Sequence, residues 1–140
     1  MNDQAENITE TIVAIASGVG GGVGVLRLSG PRSLIIGKKI CLGSNLQPLS
    51  FSPRKVKLVN FYSPEKTKID SGLILYFPGP KSFTGEDVVE IQPHGSRFIL
   101  QEVLNVAVHY GARLARPGEF SERAFINDKI DLIQAEAVAD

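Results

Sequence analysis

Apolar residues along this chain recur mostly at the two-residue spacing of half-buried strands, and in a few stretches at the three-to-four spacing of helices. Residues 11–16 are β-rich and apolar and lead into Gly18-Val-Gly-Gly-Gly-Val-Gly24, a segment with little local stiffness. Residues 25–29 predict a second strand, with Val25, Arg27 and Ser29 on one face and Leu26 and Leu28 on the other. Gly30-Pro31 punctuates, and residues 33–40 predict a short helix whose first turn suits the proline. A polar loop follows over 43–53, then a strand over 56–62, a charged turn over 64–70 and a strand over 72–77. That last strand has few polar atoms and is expected to be central; Pro78-Gly-Pro80 ends it.

Residues 88–92 alternate cleanly, with Val88, Glu90 and Gln92 facing one way and Val89 and Ile91 the other. The strongest helix is expected over 96–110, where Ile99, Leu100, Val103, Leu104 and Ala107 form an apolar stripe. Ser96 is its expected N-cap and Gly111 its C′ residue. An edge strand is expected over 112–115 and a short helix over 119–126. Asp131-Leu-Ile-Gln134 reads as a capping box that opens another helix. That helix still runs at Asp140, so the expectation is a fragment with more helix following in its parent.

Composition narrows the class. At 140 residues, 43% apolar and 21% charged, the chain suits one globular domain with a core of its own. Fifteen basic residues balance fifteen acidic ones, which speaks against strong non-specific nucleic-acid binding by this piece alone and leaves a local basic patch open. The single cysteine, Cys41, excludes an internal disulfide and reads as a buried hydrophobe in a reducing compartment. The first ten residues are polar and include three acidic ones, unlike a signal or transit peptide. No apolar run approaches the roughly 20 residues that span a bilayer. The chain reads as cytoplasmic, with no membrane partner.

Candidate chemistry is sparse. The glycine loop supplies neither G-x-x-x-x-G-K-[ST] nor G-x-G-x-x-G, because Val23 stands where a third glycine is needed. It is either a turn with close backbone approach or a loop that closes over a ligand. Arg27 and Glu90 each place a charge inside an otherwise apolar strand. They are either an edge or solvated-face pair of charges or an anion-binding fork and a carboxylate for paired N–H donors. His94 and His109 belong to no metal-type cluster, so no metal site is expected, and His94 reads as a turn residue. Glu86 and Asp87, being strand neighbours, make a poor acid–base pair and read as turn features. Glu119, Glu122 and Arg123 are expected to form local helix pairs worth roughly 0.2–0.5 kcal/mol each. No catalytic residue is expected in this chain.

Two segments resist explanation by packing: Phe83-Thr-Gly-Glu-Asp-Val-Val-Glu-Ile-Gln-Pro-His-Gly95 and Ala115-Arg-Pro-Gly-Glu-Phe-Ser-Glu-Arg-Ala-Phe-Ile-Asn-Asp-Lys129. With Val25-Leu-Arg-Leu-Ser-Gly30, they resemble the N-terminal region of the MnmE (TrmE) family of tRNA-modifying GTPases. The resemblance implies an α+β fold, a mixed sheet with packed helices like the folate-binding aminomethyltransferase domains, followed by the first helices of an all-α domain. Residues 1–118 would be a tetrahydrofolate-binding and dimerisation domain, and 119–140 the start of the helical domain. A G domain using GTP, Mg2+ and K+ would lie outside this chain, leaving the fragment inactive on GTP. The family modifies carbon 5 of the wobble uridine in certain tRNAs with a partner, MnmG. Arg27, Glu90 and Lys129 match its 5-formyl-tetrahydrofolate-binding positions. Glu90 would face the pterin donor edge, and the two cations would hold oxygens of the formyl group, ring or glutamate tail.

Departures from the family pattern are local. Ser17-Gly-Val-Gly-Gly-Gly22 lacks the prolines and arginine of the family's Thr-Pro-Pro-Gly-Arg-Gly-Gly, and His94-Gly-Ser96 replaces His-Gly-Gly. The rival readings are a stand-alone folate-dependent one-carbon enzyme, a purely structural dimerisation module, and an RNA-binding module.

Overall fold

The computed structural model describes residues 10–17 and 21–129. The helix expected from Asp131 and the first glycines of the loop lie outside them. The described chain is mixed α+β, with seven strands in one sheet and three α-helices: β1 Ile12–Ile15, β2 Leu26–Ser29, α1 Ser33–Ile40, β3 Cys41–Leu42, β4 Lys57–Tyr62, β5 Lys68–Phe77, β6 Val88–Gln92, α2 Arg97–His109, β7 Arg113–Leu114 and α3 Glu119–Ile126. The sheet order is β3-β4-β5-β6-β2-β1-β7. Every pairing is antiparallel except β1 with β7.

The two faces of the sheet have different fates. Val13, Leu26, Leu28, Ile74, Val89 and Ile91 project to one side and form a buried core with Ile36 and Ile40 of α1 and Val103, Leu104 and Ala107 of α2. The alternation of Leu26 and Leu28 against Arg27 is what sends apolar side chains to the helices and the charge to the opposite face. α2 begins as expected, with Ser96 Oγ accepting from the Ile99 N–H at 3.1 Å, and ends at Gly111 with φ +113°.

On the opposite face α3 covers only the β2 end, where Arg123 reaches the Ser29 carbonyl at 3.4 Å. No described helix lies over the β4–β5–β6 portion: Leu73, Leu75 and Phe77 are half-buried and Leu58 is 79% exposed. Two features depart from expectation. Lys68, Ile69 and Asp70 belong to β5 rather than to a turn, because Asp70 and Lys68 pair with Phe61 and Tyr62 of β4. Cys41 and Leu42 add an edge strand through Phe61 and Asn60. β5 is interior, as expected, between β4 and β6. Cys41 is buried, and burial raises its thiol pKa above the ordinary value.

Gly72 is required where β5 meets β6. A Cβ there would lie 2.2 Å from the Gln92 carbonyl oxygen, a backbone atom that cannot swing away. Gly72→Ala is therefore expected to destabilise the fold by about 2 kcal/mol or more, the range for overpacking against a fixed neighbour. Gly22→Ala, whose Cβ would meet nothing within 4 Å, is the control. Urea unfolding of both variants checks this, and equal midpoints would contradict it.

Candidate ligand-binding site

Arg27 and Glu90 are direct cross-strand partners on β2 and β6. Nε and Nη2 of Arg27 donate to Glu90 Oε1 at 3.1 and 3.0 Å. Among the described residues no hydrogen bond engages Glu90 Oε2. The side chains are 26% and 21% exposed. Pairing offsets the desolvation of two mostly buried charges and is weak evidence for stability by itself, so folding alone is a poor account of two charges placed inside two strands. The Arg27 guanidinium lies 5.9 Å from the centre of the Phe83 ring and 6.0 Å from that of Phe120. Both contacts are within cation–π range. Arg27 is thereby flanked by one aromatic from the turn before β6 and one from α3.

That turn, residues 82–87, is bound from several sides. Ser82 Oγ donates to the Glu86 carbonyl. Thr84, fully buried, shares a 2.7 Å hydrogen bond with Ser29 of β2. The Asn127 side-chain amide donates to the Thr84 carbonyl at 2.8 Å. Gly85 has φ +83°, and a Cβ on it would meet Asn127 Cβ at 2.9 Å and Lys129 Cγ at 3.5 Å. The chain just past α3 therefore lies against the turn, and Lys129 is an exposed cation beside Gly85. Of the three residues anticipated from sequence, Arg27 and Glu90 touch. Lys129 reaches the turn that carries Phe83, and among the described residues no hydrogen bond or ion pair joins it to the other two.

One expectation is corrected. Glu119 and Arg123 are not weak surface pairs, for their side chains are 1% and 2% exposed. Glu119 accepts from Arg113 Nη1 and Nη2 at 3.0 and 2.6 Å and from the Arg116 N–H at 2.8 Å. Arg123 Nη1 donates to Glu86 at 2.9 and 3.2 Å. Glu86 also accepts from Ser29 Oγ at 2.7 Å, so it is a bridge rather than only a strand-start feature. Glu122 alone keeps a loose surface contact, 3.5 Å from Arg116. The available signal was position: Glu119 and Arg123 recur four apart, in register with Phe120 and Ala124 on the side that packs.

Beyond the end of β6, His94 Nδ1 pairs with Asp70 at 2.9 Å, and the His94 N–H donates to the same carboxylate. Burial alone would raise the Asp70 carboxyl, but the hydrogen bonds from His94 pull it below the ordinary value. A depression of ≈ 320 Å³ beside this pair is lined by Val23, Leu58, Leu73 and Gln92 among others. The described part of the glycine loop approaches backbone closely here: Gly24 N donates to the Pro93 carbonyl at 2.9 Å, and a Cβ on Gly95 would lie 2.2 Å from the Gly21 oxygen. Among the described residues no cluster of His, Cys, Asp and Glu could hold a metal ion, and no helix is long and apolar enough to cross a membrane.

A match to a family of GTP-binding proteins, not the geometry, assigns the class of this sheet and its charged cross-strand pair. Residues 11–129 match the family described as GTP-binding protein TrmE N-terminus, and the chain belongs to that family. It is 54% identical over 132 residues to the tRNA modification GTPase MnmE of Legionella pneumophila strain Paris, covering 94% of this chain and 28% of that protein. The same enzyme of Marinomonas sp. MWYL1 is 54% identical, and that of Pseudomonas fluorescens Pf0-1 is 52% identical, with the same coverage. The chain thus spans under a third of the length of these relatives.

The Glu119 site makes stability depend on pH. Burial would raise this carboxyl, but the Arg113 hydrogen bonds, the Arg116 N–H and the two guanidinium charges outweigh it and lower it from 4.5 to about 2. A depressed carboxyl contributes stability above its unfolded value and loses it as pH falls through the folded one. The melting temperature is expected to drop between about pH 4.5 and pH 2 on this account. Arg113→Gln should lower it at pH 7 and flatten that acid slope. Parallel pH profiles for the two proteins would contradict the assignment.

Proposed function

We propose that this chain is the one-carbon-donor-binding and dimerising module of a tRNA-modifying GTPase, and that Arg27, Glu90 and Lys129 bind a 5-formyl-tetrahydrofolate-type ligand. The observation that carries the reading is the half-buried Arg27–Glu90 pair on the partly open sheet face, with Phe83 over it and Lys129 beside the same turn. The residues fit such a ligand. Glu90 Oε2 is a carboxylate oxygen suited to the parallel N–H donors of a pterin edge. Phe83 offers an aromatic surface for a flat ring. Arg27 and Lys129 supply positive charge for carbonyl oxygens and a glutamate tail.

When bound, the folate supplies a one-carbon unit toward carbon 5 of the wobble uridine. The residues of this chain bind and orient it. GTP hydrolysis, with its Mg2+ and K+, belongs to a G domain outside residues 1–140, and MnmG and tRNA join through the full protein. On this reading residues 1–118 form the binding domain, residues 119–140 open the helical one, and the protein works in the cytoplasm. Isothermal titration with 5-formyl-tetrahydrofolate is expected to show saturable binding that falls at least tenfold in Glu90→Ala. That loss follows from the roughly 1.5–3 kcal/mol that a hydrogen bond to a charged group contributes. A folded wild-type protein that takes up no ligand would sink the reading.

The helix-free strand face supports dimerisation, since Leu58, Leu73, Leu75 and Phe77 place apolar surface where no element of the described chain covers it. Leu58→Glu, at a side chain the monomer leaves exposed, is expected to shift the protein from dimer to monomer in sedimentation without lowering its helix content. An unchanged dimer would place the interface elsewhere.

A further inference from the structure

The turn that carries Phe83 and the helix end that carries Lys129 are joined by contacts that the ligand positions do not themselves make. Arg123, buried under α3, donates to both oxygens of Glu86 on the turn. Its guanidinium also lies 3.6 Å from Glu119, one turn earlier on the same helix. Asn127, at the α3 C-cap, donates to the Thr84 carbonyl, and its Cβ leaves room only for glycine at position 85. Thr84 and Glu86 in turn hold Ser29, two residues from Arg27 on β2.

A buried guanidinium must keep its carboxylate partners, because leaving it unpaired costs several kcal/mol. The Arg123–Glu86 bridge is therefore a stiff attachment, while the Asn127 bond is a lighter one at the surface. α3 cannot slide along the sheet without pulling the turn, and with it Phe83, away from Arg27. Lys129, three residues past the end of α3, moves with the same helix.

We propose that Glu86, Arg123 and Asn127 are positioning residues that lock the 82–87 turn to α3, so that docking of α3 assembles the site and its displacement opens it. The inference rests on the ligand reading above for what the site holds. It makes ligand occupancy and α3 docking reciprocal: a ligand that needs the docked arrangement must also favour it. Anything in the full protein that pulls on α3 would then release the ligand without touching it.

Arg123→Ala could simply unfold the chain, so the test uses Asn127→Ala, which keeps the Cβ against Gly85, and Glu86→Gln. Backbone-amide hydrogen exchange is followed over residues 82–87 and 126–129, beside melting temperature. Both variants are expected to exchange about tenfold faster in these two segments, while β2, β6 and α2 stay protected. A ligand titration runs alongside. Asn127→Ala should weaken 5-formyl-tetrahydrofolate binding, and the Asn127→Ala/Lys129→Ala double variant should lose less than the two single losses combined, since a residue acting partly through another is not additive with it. Unchanged exchange in both segments, or additive losses of affinity, would overturn the proposal. If the wild-type protein binds no folate, exchange alone decides: faster opening of both segments together upholds the lock while the ligand reading fails.

Discussion

The arrangement depends on one buried cation. Arg123 has its guanidinium under α3, out of water, where only charged partners make it tolerable. Glu86 comes to it from the turn before β6, Glu119 from its own helix and the Ser29 carbonyl from β2. Glu119 in turn ties down Arg113 of β7, which also meets Glu10 ahead of β1. Five stretches of chain, α3 included, are thereby gathered at one corner of the sheet. Through Arg123 and Glu86 the cluster ties α3 to the 82–87 turn, next to the strand that carries Arg27.

From that corner the division of the sheet acquires its chemical sense. One face is sealed by α1 and α2 around Leu26, Leu28, Val89 and Ile91. The other carries Arg27 and Glu90 in register, closed at the β2 end by α3 and, among the described residues, covered by no helix over β5. The Arg27–Glu90 pair, with side chains 26% and 21% exposed, keeps a carboxylate and a guanidinium aligned on that face, where the proposed ligand would meet them. The rigid strands set the spacing of the two charges. The turn and the helix end, joined to each other, supply Phe83 and Lys129.

Much of this frame was legible in the chain. The alternation over residues 88–92 and the stripe from Ile99 to Ala107 reproduce β6 and α2, and Ser96 caps as its type and position foretell. Arg27 and Glu90 stood out as charges inside strands, but nothing local showed that they face each other, because that depends on the pairing of β2 with β6 across a long stretch of sequence. β3 is two residues long and exists only through its ladder to β4. The polar start of β5 reads as a turn until Phe61 and Tyr62 are set against it. Glu119 and Arg123 look like surface charges because their partners Arg113 and Glu86 come from outside the helix. In each case the missing information was tertiary, not a weak local signal.

On the proposed function, the Arg27–Glu90 corner, closed by the 82–87 turn and α3, is where this protein takes its ligand. Amide chemical-shift mapping of the isotope-labelled protein with 5-formyl-tetrahydrofolate tests it most directly. The account predicts that the largest shifts cluster at Arg27, Gly85, Glu90 and Lys129. Shifts confined to Val23, Leu73, Gln92 and His94 around the neighbouring depression would contradict it.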